Sequence, residues 1–315
     1  VGSFLRPDAL KQARAAFANG QITADDLTAV EDTAITTLVA QQVAAGLDVV
    51  TDGEFRRSYW HLDNFWGFEG VERFKFGEGY QFAHEETRDD SAHLTGPLGF
   101  NATAHPLIRE FKFLKTIADR YGVAAKATLP SPAQFFAELV RGRNAERVHR
   151  FYTNDADFHA AIQRVYHDEI LALYDAGART IQLDDCTWGM LVDPHFGVLM
   201  TGNGVSVTEL KTLYLTLNNG ALADLPDDLV INTHVCRGNY HSDWAASGGY
   251  DLVADELLGQ ENVASYFLEY DSDRAGGFAP LAKVSGDKQV VLGLITTKTG
   301  ELEDKQVIID RIYEA

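Results

Sequence analysis

An α/β barrel of parallel strands joined by helical crossovers is the fold class that this sequence predicts. Three observations predict it. A strand-like run followed by a helical run recurs along the whole chain, which is the grammar of parallel sheets. The strand-like runs are apolar first and polar last, as they are where a barrel mouth collects its polar groups on one face. The chain's 315 residues suit one large barrel domain better than several small ones.

The elements follow in order. VGSF is the first strand, and a helical stretch runs from Pro7 to Asn19. A second helix begins near Thr23, carries Leu27, Val30, Ala34, Leu38 and Val39 at helical spacing, and closes at Gly46. The run Leu47 to Thr51 is apolar and β-branched and leads into Asp52, Gly53 and Glu54. Further strands are VAAKATLP (123–130), TIQLDD (180–185), LVINTHVC (229–236), ASYFLEYD (264–271) and VVLGLITT (290–297). Between them the clearest helix is Asp155 to Ala176, with Phe158, Ile162, Val165, Tyr166, Ile170 and Leu173 on one face. These make seven strands where a closed barrel has eight. A last strand and helix are therefore expected to be missing from the chain as given. The alternative is an open sheet with an exposed edge.

Residues 55–106 form an insertion rich in aromatics, including Phe55, Tyr59, Trp60, Phe65, Trp66, Phe68, Phe74, Phe76, Tyr80 and Phe82. Its start at the polar end of a strand puts it over the barrel mouth. It reads as a satellite core of hairpins, as a lid that excludes water, or as both.

Composition narrows the function. A net charge of −19 repels phosphate backbones and anionic membranes, so neither nucleic acid nor membrane is an expected partner. No run of 18 apolar residues occurs and the first residues lack a signal-peptide pattern, so the chain reads as cytoplasmic. Its two cysteines, Cys186 and Cys236, are too few for a disulfide framework.

His234 and Cys236 stand two apart at the end of a strand, so both point the same way. Imidazole with thiolate favours zinc over magnesium or calcium, although the pair alone is a weak signal. Glu269 ends the next strand within an apolar run, where burying an unpaired carboxylate is costly. A metal would neutralise it, and so would a salt bridge or an exposed position at the rim. Cys186 is an alternative soft ligand, with a buried structural thiol the plainer reading. Arg56 and Arg57 read equally as anion contacts or as a solvated pair. His61, His159 and His241 have no distinguishing spacing, and GNG at 202–204 is not followed by a phosphate-loop pattern.

Taken in order, VGSFLRP, DGEFRR, IQLDD, THVCRGN, FLEYD and LGLITTKTGELE resemble the catalytic barrel of cobalamin-independent methionine synthase, most closely its short single-barrel relatives, over essentially the whole chain. The resemblance implies a (β/α)8 barrel and zinc-dependent methyl transfer to the thiol of homocysteine. It implies His234, Cys236 and Glu269 as zinc ligands, the family's fourth being a cysteine near the end of the eighth strand. It implies Glu54 and Asp184 as holders of the homocysteine amino group and the Gly2–Ser3 backbone as receiver of its carboxylate. Three features depart from the full-length enzymes. Lys298 stands at the position of their catalytic histidine and Met190 at that of an acidic residue, and no counterpart of the folate-stacking tryptophan is evident. The duplicated N-terminal barrel is also absent, and the methyl donor is left open. A homodimer is compatible with this reading. The rivals are transfer of another thiol, such as coenzyme M opening an epoxide, a non-catalytic zinc or thiol-binding protein, and a metal-dependent hydrolase. Retention of both Glu54 and Asp184 favours an amino-acid thiol.

Overall fold

The expected strand-helix alternation builds one continuous parallel sheet. The computed structural model describes residues 2–196 and 206–315, so the GNG segment lies outside the described residues. After β1 (Val49–Val50), the chain forms an antiparallel hairpin of β2 (Glu69–Lys75) and β3 (Asp90–Gly99). It then forms β4 (Ala124–Pro130), β5 (Thr180–Asp184), β6 (Val230–Val235), β7 (Ser265–Glu269) and β8 (Gln289–Gly293). The main sheet has the order β1-β4-β5-β6-β7-β8, and every neighbouring pair is parallel. Ser3 bridges Gly53 in parallel, so the VGSF segment occupies the position beyond β1 without becoming a full strand. The sheet curls into a part-barrel, and among the described residues β8 does not pair back onto the first segment.

Local chemistry explains the flanking helices. The second helix, Ala24–Ala44, starts on a capping box in which Thr23 and Asp26 satisfy each other's backbone N–H groups. The helix Pro106–Tyr121 has proline in its first turn and ends on Gly122 in the left-handed region. The helix Asp155–Asp175 buries Phe158, Ile162, Val165, Tyr166, Ile170 and Leu173, the face expected from spacing. No helix among the described residues is long and apolar enough to cross a membrane.

The segment expected as a strand over Leu47 to Thr51 pairs only at Val49 and Val50. The side-chain amide of Gln42 explains where pairing stops: it donates to the Thr51 carbonyl at 2.8 Å and accepts from the Thr51 N–H at 3.0 Å. A helix side chain thus takes the place of a neighbouring strand.

Part of the insertion packs into the main core. Phe65 and Phe68 are buried in the main core, ring to ring with Phe135, and the Phe68 ring also lies tilted against Tyr166. Its further end reaches the loop after β6. The Ala83 N–H donates to the Trp244 carbonyl at 2.7 Å, the His84 N–H donates to the Asp243 carboxylate at 2.7 Å, and Phe82 lies against Tyr240.

Candidate active site at the strand ends

The C-terminal ends of the parallel strands bring most of the expected residues to one face, as the direction shared by parallel strands requires. His234 lies in β6 and Cys236 follows its last residue, while Glu269 ends β7. The Nδ1 atom of His234 is 2.9 Å from the Phe267 carbonyl. A carbonyl only accepts, so Nδ1 carries a proton and the bond fixes the ring's orientation, as such bonds do in histidines that ligate metals.

The Cys236 thiol is shared with a residue that the sequence left in the background. The Sγ atoms of Cys186 and Cys236 are 3.5 Å apart. A hydrogen bond from Cys186 holds Cys236 well below the usual thiol range, with His234 adding in the same sense. That same bond, together with burial, pushes the Cys186 thiol well up. The helix that Cys186 opens, Cys186–Leu191, lies so close to β6 that a Cβ on Gly189 would fall 1.9 Å from the Cys236 carbonyl oxygen. Only glycine permits that approach.

Glu269 is paired by the protein itself, as one of the sequence alternatives held. Its carboxylate accepts the Arg237 backbone N–H at 3.0 Å and the Arg274 guanidinium at 3.1 Å. Arg237 is fully buried. Its guanidinium donates to the Gly248 carbonyl at 2.9 and 2.6 Å and sits over the Tyr250 ring. Lys298 donates to the Gly238 carbonyl at 2.9 Å. Burial lowers its pKa, against the charges of Glu269 and Cys236 nearby, so the lysine belongs to the same cluster.

A second group of residues lies around β1 and β5. Glu54 is buried and has a left-handed backbone at φ 56°. Its carboxylate accepts from the Thr128 hydroxyl at 3.2 Å and lies 3.6 Å from Arg57. Burial raises the Glu54 carboxyl, Arg57 opposes the rise, and the charge of Asp184 adds to it. Asp184 ends β5 and accepts from the Gln182 amide at 2.7 Å, while Gln182 accepts from Lys126. The Gly2 carbonyl accepts from the Thr51 hydroxyl at 2.7 Å and the Phe4 N–H donates to the Gly53 carbonyl, which sets Gly2 and Ser3 beside the Glu54 turn.

The arginines correct the expectation of an anion contact or a solvated pair. Arg57 is buried beneath the site, donating to the Thr128 carbonyl and to the Trp60 carbonyl, and Arg56 is taken up by Glu31 and Asp32. Neither is solvated, because each has acceptors from neighbouring elements that sequence spacing does not show. His61, passed over in the sequence, is buried against Trp60, Phe65 and Tyr80, and neither ring nitrogen has a hydrogen-bond partner. Burial lowers it to about 3, so it is neutral.

The donor types fit zinc in kind: an imidazole oriented through Nδ1, a thiol already held towards its ionised form, and a carboxylate on the adjacent strand. Among the described residues, however, no three His, Cys, Asp or Glu side chains are close enough together to hold a metal ion. Glu269 meanwhile shares its two oxygens between the Arg274 guanidinium and the Arg237 backbone N–H.

A family profile described as "Cobalamin-independent synthase, Catalytic domain" matches residues 1–65. The uncharacterized protein YxjH of Bacillus subtilis is 43% identical over 316 residues, covering 100% of this chain and 81% of that protein. The methionine synthase of Sulfolobus acidocaldarius is 26% identical over 189 residues, 59% of this chain and 50% of that protein. Among solved structures, the putative vitamin-B12 independent methionine synthase of Listeria monocytogenes is 35% identical with a TM-score of 0.76, covering 100% of this chain and 84% of its own. A B12-independent methionine synthase from Shewanella, solved with selenomethionine, shares the fold at 17% identity and a TM-score of 0.70, over 94% of this chain and 79% of its own.

Proposed function

Since the chain belongs to the cobalamin-independent methionine synthase family, we propose that it is a methyltransferase that methylates the sulfur of homocysteine, with a zinc ion held by His234, Cys236 and Glu269. The observation that carries the proposal is the placement of the His234–Cys236 pair and the buried carboxylates Glu54 and Asp184 at the C-terminal ends of one curled parallel sheet. One group suits a sulfur chemistry and the other an ammonium.

The chain's own residues divide the work. Glu54 and Asp184 lie close enough for the charge of Asp184 to raise the Glu54 carboxyl. An ammonium between them relieves that repulsion, which favours an α-amino acid. Gly2 and Ser3, beside the Glu54 turn, line the end that receives the substrate carboxylate. Holding both ends of the amino acid orients its sulfur for in-line attack on a methyl group, where proximity contributes most. Lys298 lies near Cys236 and Glu269, and its positive charge offsets theirs. The aromatic insertion, bonded to the loop after β6, covers the mouth and limits water. Zinc bound at His234, Cys236 and Glu269 would act as a Lewis acid that keeps the substrate sulfur ionised at neutral pH.

The test supplies homocysteine with methyl-folate, methylcobalamin or S-methylmethionine in turn, measures methionine formed, and measures bound metal on the same samples. Methionine formation from one donor is expected, with Cys236→Ser losing metal and turnover together. Full turnover by wild-type protein stripped of zinc would overturn the metal assignment. Failure to methylate homocysteine from every donor would overturn the substrate assignment.

A further inference from the structure

Cys186 and Cys236 are the chain's two cysteines, and the fold brings them together across 50 positions of sequence. The pairing of β5 with β6 sets Asp184 opposite His234, and the Asp185 N–H donates to the His234 carbonyl at 2.8 Å. Each cysteine lies two residues past that matched pair. The sulfurs are already 3.5 Å apart, and neither residue is fully buried. Gly189 keeps the helix that starts at Cys186 pressed on the Cys236 carbonyl, which holds the two thiols at this range.

We propose that Cys186 and Cys236 form an oxidisable pair that a low-molecular-weight disulfide of the glutathione type converts into one intramolecular disulfide. One protein thiolate attacks a sulfur of the reagent, breaks its S–S bond and expels a thiolate. The second protein thiolate attacks the protein sulfur of the mixed disulfide and expels the other half of the reagent. The two protons lost by the protein end on the two expelled thiols, and two electrons pass to the reagent, which is reduced. The bridge is independent of the methyl-transfer reading. Only its consequence, withdrawal of Cys236 as a metal donor, rests on that reading.

The experiment exposes the reduced full chain, both as isolated and after chelator treatment, to glutathione disulfide. Free thiols are then counted under denaturing conditions and the intact mass is taken. Trypsin separates the cysteines into the peptides 180–211 and 212–237, which are mapped without reductant. The expected result in the chelator-treated protein is loss of both thiols, a mass lower by two hydrogens with no glutathione retained, and the two peptides joined until a reductant is added. Cys186→Ser is expected to keep a stable glutathione adduct on Cys236, because the resolving thiol is gone. The proposal is overturned if wild-type protein keeps stable adducts, if its bridges join separate chains on a non-reducing gel, or if both thiols persist after chelation. Because none of these readouts involves methyl transfer, a bridge without turnover and turnover without a bridge are separate results.

Discussion

Replacing Gly189 by alanine adds one methyl group where the structure leaves it no room. The new Cβ would lie 1.9 Å from the Cys236 carbonyl oxygen and 3.1 Å from its carbon, and contacts under 3.0 Å are essentially never seen. The obstacle is backbone, so no rotamer change relieves it, and the helix and the end of β6 must separate by at least about 1.1 Å. Overpacking of this kind costs about 1–3 kcal/mol, while the better helix propensity of alanine returns up to about 1 kcal/mol. The difference spans about 0–3 kcal/mol, and a net loss near its middle, about 1.5 kcal/mol, is expected in urea unfolding of Gly189→Ala. Cys186 lies one helical turn before the added methyl, so the same displacement should slow closure of the Cys186–Cys236 bridge, read as the rate at which peptides 180–211 and 212–237 become joined. Wild-type stability together with wild-type bridging would refute both the close approach and the alignment of the thiols inferred from it.

Other substitutions test other parts of the site. Glu54→Gln and Asp184→Asn should each weaken homocysteine about 10- to 100-fold in KM, the range for losing a hydrogen bond to a charged group; steady-state kinetics showing unchanged KM would remove them from the amino-group cradle. Arg274→Gln should free Glu269 and tighten zinc retention in competition with a chelator, and weaker retention would mean that Arg274 positions the carboxylate instead of competing for it. Glu169, fully buried 3.6 Å from His105, is raised by burial to about 8, and His105 is lowered by burial to about 4, so two uncharged groups meet there. The folded protein keeps the Glu169 proton that the unfolded chain releases near 4.5. The stability tied to that proton is complete below pH 4.5 and is lost as pH rises through 8, by up to about 1.4 kcal/mol per pH unit. Glu169→Gln should therefore gain on wild type between pH 5 and 8 in urea titrations, and a pH-independent difference would contradict the assignment.

Much of the architecture was legible because parallel strands buried on both faces read as apolar runs that turn polar where they leave the sheet. TIQLDD and LVINTHVC became Thr180–Asp184 and Val230–Val235 almost residue for residue. Leu47 to Thr51 reads as a longer strand than the pair Val49–Val50 that forms, because Gln42, on a helix, satisfies the backbone that a strand neighbour would otherwise satisfy. The same limit governed the site. His234 and Cys236 were readable as a period-2 pair, but the approach of Cys186 depends on strand register, which a single sequence does not display. The partners of Glu269 were hidden for a similar reason: Arg274 reaches it through a turn, and the Arg237 contact uses a backbone N–H. Arg57 reads as a loop charge until Thr128, more than seventy residues away, supplies its acceptor.

Arg237 has a consequence for remodelling this protein. Its amide is committed to the β7 terminus and its guanidinium to the loop at Gly248, immediately after the cysteine. Three segments, the end of β6, the loop at Gly248 and the end of β7, are thereby fastened at one residue. Grafting any of them from a relative with a different arrangement would strand a buried cation, so an exchange of specificity loops at this face has to carry all three together.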